Sequence, residues 1–195
     1  MSTKIKKLIE YLAKLPGIGP RQATRLALAM TNWENNDLKE FGDSVSDLKS
    51  GTLFCGECFN FADNGLCAIC SNSKRDKNRI AVVERITDLQ SMEKTGAYDG
   101  VYHVLGGVIR PDNKEKNIKI KELFQRTASL ANPLTAEVII ATNPNTYGET
   151  TALYIREKLA PLGIKITRLA QGLSAGSSIE YSDEITLAHA LKHRR

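Results

Sequence analysis

The sequence predicts an α+β multidomain protein: an N-terminal helix-hairpin-helix, a four-cysteine zinc finger, and a C-terminal α/β domain built on a parallel sheet. Three observations carry this reading. Apolar residues recur at helical spacing on both sides of Pro16-Gly17-Ile18-Gly19-Pro20. All four cysteines of the 195 residues lie in one short stretch as two CxxC pairs. From Arg79 onward, short aliphatic runs alternate with helical patterns, as parallel strands and their crossovers do. The expected divisions are 1–53 for the helical domain, 54–78 for the zinc finger, 79–172 for the α/β domain and 173–195 for a C-terminal loop and helix.

Ile5, Leu8, Ile9, Leu12 and Leu15 step by three and four residues, which places them on one face of a helix from Ser2 to Leu15. Pro16 ends it, and Pro20 opens a second helix at a position where a missing N–H costs nothing. Ala23, Leu26, Ala27 and Met30 form that helix's apolar face. Gly17 and Gly19 let backbone approach a ligand closely, and the following helix presents unpaired N–H groups and a positive dipole end, which together suit a phosphate. Arg21 and Arg25, four residues apart, project beside the hairpin. These four residues are the expected DNA contacts, and contacts of this kind hold the sugar-phosphate backbone without reading bases. A plain helical hairpin docking on a protein is the competing reading.

A third helix follows from Glu34 to Lys49, with Leu38, Phe41, Val45 and Leu48 on one face and five acids against two lysines. Its acidic face reads as solvated, and Trp33 as a packing anchor.

Next come Cys55-Gly-Glu-Cys58 and Cys67-Ala-Ile-Cys70. Each CxxC turn aims two thiolates the same way, and two turns together surround one tetrahedral ion, expected to be a structural zinc, one per chain. Gly56 is expected to take an unusual backbone conformation, and Asn64-Gly65 to reverse the chain. No histidine or open ligand position lies nearby, so catalysis at the metal is not expected. The finger is expected to fix the angle between the hairpin and the C-terminal domain.

Strands are expected at 80–83, 101–105, 138–141 and 164–169, forming a parallel sheet covered on both faces. A helix from Thr87 to Lys94 carries a Thr87-x-x-Gln90 capping pattern. Crossovers run over 120–131 and 150–160, and a last helix over 183–192, with Lys192, Arg194 and Arg195 near its negative end. Functional groups of such a sheet gather beyond the carboxyl ends of its strands. Glu84 ends the first strand, and Asn143-Pro-Asn-Thr-Tyr-Gly-Glu149 follows the third. Aspartates in place of the two asparagines would give DPDxxGE, which beside Glu84 makes a magnesium site for phosphodiester chemistry. Neutral amides hold a cation weakly, so a protein-binding or weak cation-binding surface is expected there, and a metal-dependent nuclease or strand-passage enzyme is the alternative.

Gly172-Leu-Ser174-Ala-Gly176 matches the GxSxG pattern of serine hydrolases, with Asp183 and His189 downstream. No helix is expected directly after Ser174, so the nucleophile elbow is missing. His103, inside a strand, reads as a satisfied histidine. Lys114, Lys116, Lys119 and Lys121 mix with Asp112, Glu115 and Glu122, the pattern of a solvated loop rather than a second DNA contact.

Net charge is +5, and residues 1–33 alone, with six cations against Glu10, carry a local +5. A basic N-terminal segment favours a polyanionic partner. No apolar run reaches the length of a membrane span, and the first fifteen residues lack a secretory pattern. A cytoplasmic protein with no membrane partner is expected, in a compartment that keeps thiols reduced.

The succession of LPGIGPRQATRLA, CxxCFNFAD, CAIC, VVE, YHVLGG, ATNPNTYGET and LAPLGIKITRLAQG resembles the bacterial RecR family of recombination mediators over nearly the whole chain. The resemblance implies that 79–172 is a Toprim domain, the fold shared by topoisomerases and primases. It implies a non-enzymatic DNA-repair factor that forms a ring-shaped homotetramer, or a dimer, and works with RecO and RecF to load RecA on single-stranded or gapped DNA. It assigns DNA contacts to Gly17, Gly19, Arg21 and Arg25, zinc to Cys55, Cys58, Cys67 and Cys70, and the Toprim acids to Glu84 and Glu149, with Asp88 as a third. The partner-binding crevice then comprises Glu84, Asp88, Asn143 and Glu149, an acidic surface that meets RecO in the family. Tyr147 stands where the family usually has glutamate, and Ser174, Ser177 and Ser178 replace its usual proline, glycine and aspartate.

Overall fold

The computed structural model describes residues 1–51, 53–111, 118–130, 135–192 and 194. The chain divides into two compact units, Met1–Thr52 and Leu53–Arg195.

The first unit holds α1 (Thr3–Leu12), α2 (Pro20–Met30) and α3 (Asn35–Gly51). Leu12, Ala23 and Ala27 are buried, with Ile5, Leu8, Ile9, Ile18 and Leu26 packed around them. Alanines on α2 let the two helices approach closely, while the leucines and isoleucines of α1 fill the seam. α1 stops at Leu12, three residues before the expected end, and Leu15 lies exposed in the turn that leads to Pro16. On α3, Leu38, Phe41, Val45 and Leu48 all remain exposed, and Trp33 meets Phe41 edge-on at 5.8 Å.

The second unit begins with a two-stranded antiparallel ribbon, β1 (Leu53–Phe54) and β2 (Phe61–Ala62), on which the cysteine turns are built. A four-stranded parallel sheet follows: β3 (Asp76–Val83), β4 (Gly100–Val104), β5 (Glu137–Ala141) and β6 (Lys165–Arg168), in the order β4-β3-β5-β6. Its crossovers are α4 (Ile86–Glu93), α5 (Ile120–Ala128) and α6 (Thr146–Leu159), and α7 (Glu184–Lys192) comes last. Successive side chains of β3 alternate between two cores. Ile80 and Val82 join Leu123, Ile155 and Leu159 of α5 and α6, whereas Ala81 and Val83 join Leu89 of α4 and Tyr102. Both faces are therefore covered, as the near-continuous apolar strands predict.

Several boundaries differ from expectation. α4 starts at Ile86, and Asp88, not Thr87, supplies its cap: Asp88 Oδ2 accepts from the Arg85 N–H at 2.9 Å. α6 starts at Thr146, four residues early, because Asn145 caps it by accepting from the Gly148 N–H at 2.9 Å. The 120–131 crossover is helical to Ala128, and its expected end at Ala131 lies outside the described residues. So do Asp112, Lys114, Glu115, Lys116 and Arg195, whereas Lys119 pairs with Glu122 at 3.3 Å on a polar surface. Among the described residues no helix is long and apolar enough to cross a membrane.

Candidate metal centre, hairpin and sheet crevice

The four cysteine sulfurs lie within 4.8 Å of one another, and all four residues are buried and free of disulfides. A tetrahedral zinc with bonds of about 2.3 Å separates its sulfurs by about 3.8 Å, so the cluster fits the ion. Local backbone explains why. Cys55 N–H donates to Asn60 O at 2.7 Å, which closes the first turn, and Gly56 N–H donates to Gly65 O at 2.8 Å, which ties that turn to the reversal leading into the second. Cys70 N–H points at Cys67 Sγ at 3.5 Å, a bond that favours a thiolate. Gly65 takes the left-handed conformation expected of the Asn-Gly reversal, with φ of 61°. The other unusual residue is Phe59 at φ 62°, and not Gly56. Without a cation the thiols compete for protons. Hydrogen bonding from Cys58 brings Cys70 down to about 6, helped by the Arg126 charge, while that bond and burial drive Cys58 up. A dication is what lets all four ionise together.

The finger is docked on the sheet. Cys58 O accepts from the Val104 N–H at 2.8 Å, so it caps the last residue of edge strand β4. Arg126 of α5 donates to Glu57 O at 3.1 Å and Tyr102 O at 2.6 Å. Ile69 packs against the cysteine cluster and both sheet cores. Sequence reading missed Arg126, whose partners lie 69 and 24 positions away and leave no local pattern.

At the hairpin, Gly17 has φ of 80°, and nothing lies within 4 Å of where a Cβ would stand at Gly17 or Gly19. Pro20 occupies the first turn of α2, which has neither an acid there nor a capping side chain, so no side chain claims its first N–H groups. Arg21 and Arg25 are both exposed on that helix. The arrangement joins an open backbone, a positive helix end and two exposed cations, a combination whose chemistry suits a phosphate.

Strand register builds the crevice. Val83 pairs with Ala141, so Glu84 leaves β3 one residue past that pair and Asn143 leaves β5 two residues past it, at the same end of the sheet. Glu84 is 6% exposed, and its carboxylate accepts from the Asn143 backbone N–H at 2.6 Å and the Asn143 side-chain amide at 2.8 Å. Gly148 closes the site: a Cβ there would stand 2.0 Å from Asn143 O and 2.9 Å from Glu84 Oε1. Glu84, Asp88 and Asn143 line one cleft of about 250 Å³ with Arg85 and Arg110. Glu149 is not in it. Its carboxylate pairs with Arg168, receives Gln171 at 3.4 Å, and borders a separate cleft of about 750 Å³ beside Asp183 and His189.

Among the remaining candidates, Ser174 runs into a turn at Ala175-Gly176, with no α-helix directly after it, so the hydrolase pattern has no elbow. His103 is fully buried, with Nε2–H donating to Lys119 O at 2.8 Å and its ring edge-on to Phe59. Burial pulls its pKa down to about 4, so it is neutral at physiological pH.

Comparison with known proteins places these features in one pattern. Family models match residues 5–47 (RecR, helix-hairpin-helix), 53–72 (RecR, four-cysteine zinc finger domain), 78–170 (Toprim domain) and 172–195 (RecR, C-terminal). The recombination proteins RecR of two strains of Dehalococcoides mccartyi are 45% and 44% identical to the chain, each over 98% of it and 93% of the relative.

Proposed function

The chain belongs to the RecR family of recombination proteins, with a helix-hairpin-helix DNA-binding domain, a structural zinc and a Toprim domain, and from that premise we propose a non-catalytic clamp that loads recombinase on DNA. In this reading the protein acts with RecO and RecF to place RecA on single-stranded or gapped DNA in the cytoplasm. Gly17, Gly19, Arg21 and Arg25 hold the sugar-phosphate backbone, and Glu84, Asp88, Asn143 and Glu149 belong to the surface that receives a protein partner. The clamp is a tetramer or a dimer of this chain; the exposed apolar stripe on α3 supports self-association.

The observation that carries the proposal is the hairpin: an open glycine turn running into a helix start, with two exposed arginines one turn apart and no acid in the first turn. The Arg21→Ala/Arg25→Ala variant should lose most DNA affinity. Its plot of log affinity against log salt should flatten by about 1.4 to 1.8 in slope, the share of two phosphate contacts. Unaltered affinity and slope would remove the hairpin from the interface.

Non-catalytic action is supported by the state of Glu84. A catalytic Toprim carboxylate must be open to a divalent ion, whereas here both of its oxygens accept bonds from Asn143. Incubation with magnesium or manganese and labelled DNA checks this, since cleavage that disappears in Glu84→Gln would overturn it. Mass measurement in solution, with and without DNA, tests the oligomer.

A further inference from the structure

Phe54 and Phe61 face each other across the two strands of the zinc-finger ribbon, yet they are 63% and 50% exposed. Their rings stack with centroids 5.7 Å apart and planes 26° from parallel. Large apolar rings held against water on a rigid ribbon mark a contact surface. The pair opens onto a cleft of about 970 Å³ that also takes in Phe59, Arg85, Gln90 and Lys119. No carboxylate is among the described lining residues. Arg85 is exposed, and Lys119 Nζ stands 5.3 Å over the Phe59 ring.

That chemistry selects its occupant. Lys119 shares its charge with Glu122 at 3.3 Å, which leaves Arg85 as the cation that faces the cleft. An apolar peptide would leave that cation unmatched, and an acidic peptide would leave the flat rings unmatched. A single nucleic-acid strand offers both a planar apolar face and a negative charge at every nucleotide. We infer that this cleft is a binding site for single-stranded nucleic acid, with bases stacking on Phe54 and Phe61 and the phosphates facing Arg85. The inference rests on the DNA-binding reading above, and adds a second contact, on the Leu53–Arg195 unit, that engages bases rather than backbone. Paired bases are stacked inside a duplex and cannot present their faces, so the site favours single strands.

The test compares a labelled oligothymidylate with an abasic strand of equal length, using the full-length protein with zinc bound. Wild type should bind the strand with bases about tenfold tighter. Phe54→Leu/Phe61→Leu keeps apolar bulk and removes the flat faces, so it should bring that ratio close to one, and Phe54→Tyr/Phe61→Tyr should restore it. Zinc content and melting temperature equal to wild type verify that the leucine variant folds. A leucine variant that retains the wild-type ratio overturns the inference, as does one that retains the ratio while its mass in solution falls, which makes the cleft an interface between copies. The two strands carry equal charge, so the ratio does not depend on the hairpin. Arg21→Ala/Arg25→Ala should weaken both strands and keep their ratio, whereas failure of the hairpin reading would leave both affinities as they were.

Discussion

Asn143 donates two hydrogen bonds to the carboxylate of Glu84, one from its backbone at 2.6 Å and one from its side-chain amide at 2.8 Å. An aspartate at 143 would put a second negative charge against the same buried carboxylate and demand a cation between them. The amide thus does internally what a metal ion does in a two-carboxylate site. Asn143→Asp should lose about 2 kcal/mol of stability in metal-free buffer. Manganese or magnesium should return part of that loss in the variant and leave the wild type as it is. Thermal melts with and without each ion check it, and equal ion-induced shifts in both proteins would contradict it.

Gly148 lies inside a helix, where alanine normally stabilises by about 1 kcal/mol. Here the sign reverses. A Cβ would stand 2.0 Å from the Asn143 carbonyl, and moving that carbonyl disturbs the bonds to Glu84. Gly148→Ala should therefore destabilise the protein by about 2 to 3 kcal/mol, read as a lower midpoint in urea unfolding. A raised midpoint would mean that the loop after β5 yields freely.

The hairpin and the cysteine cluster were legible in the sequence because their geometry is local. Pro, Gly and i, i+4 arginines fix the first, and CxxC spacing the second. Glu84 and Asn143 are 59 positions apart, and only the register of β3 against β5 joins them. Asn143-Pro-Asn-Thr-Tyr-Gly is rich in turn formers and reads as loop, yet Asn145 caps a helix and Gly148 serves close approach, so α6 begins four residues early. Glu149 then sits on that helix, facing Arg168 instead of the crevice. Periodicity found α3 but says nothing of what covers it, and its apolar stripe is exposed in the chain.

His103 gives the fold a dependence on pH. Its pKa falls from 6.5 to about 4 on folding, through burial. The folded state thus binds its proton less readily than the unfolded chain. This contribution is complete above pH 6.5 and is lost as pH falls towards 4, at up to about 1.4 kcal/mol per pH unit. His103→Gln keeps a donor for Lys119 O and removes the titration. Urea unfolding at a series of pH values should show a shallower acid loss in the variant, and the difference between the two proteins separates the histidine from acid release of zinc. Parallel curves would exclude His103 as a source.

Zinc binding should stabilise the parallel sheet as well as the finger. Cys58 lends its carbonyl to Val104 on the edge strand, Arg126 ties Glu57 to Tyr102, and Ile69 packs into both sheet cores. The sulfur cluster is too small to hold this shape alone, and a structural zinc contributes about 10 kcal/mol or more to such a segment. Cys58→Ser, or chelation of the wild type, should therefore release the Val104 amide to hydrogen exchange and loosen the sheet edge. Amides of Ala23 and Ala27 should stay protected, since the helical unit has a core of its own around Leu12. Hydrogen exchange followed at single amides separates these outcomes. A zinc-free protein that keeps Val104 protected would show that the sheet holds its edge unaided, and equal loss at Ala23 would mean that the two units unfold as one.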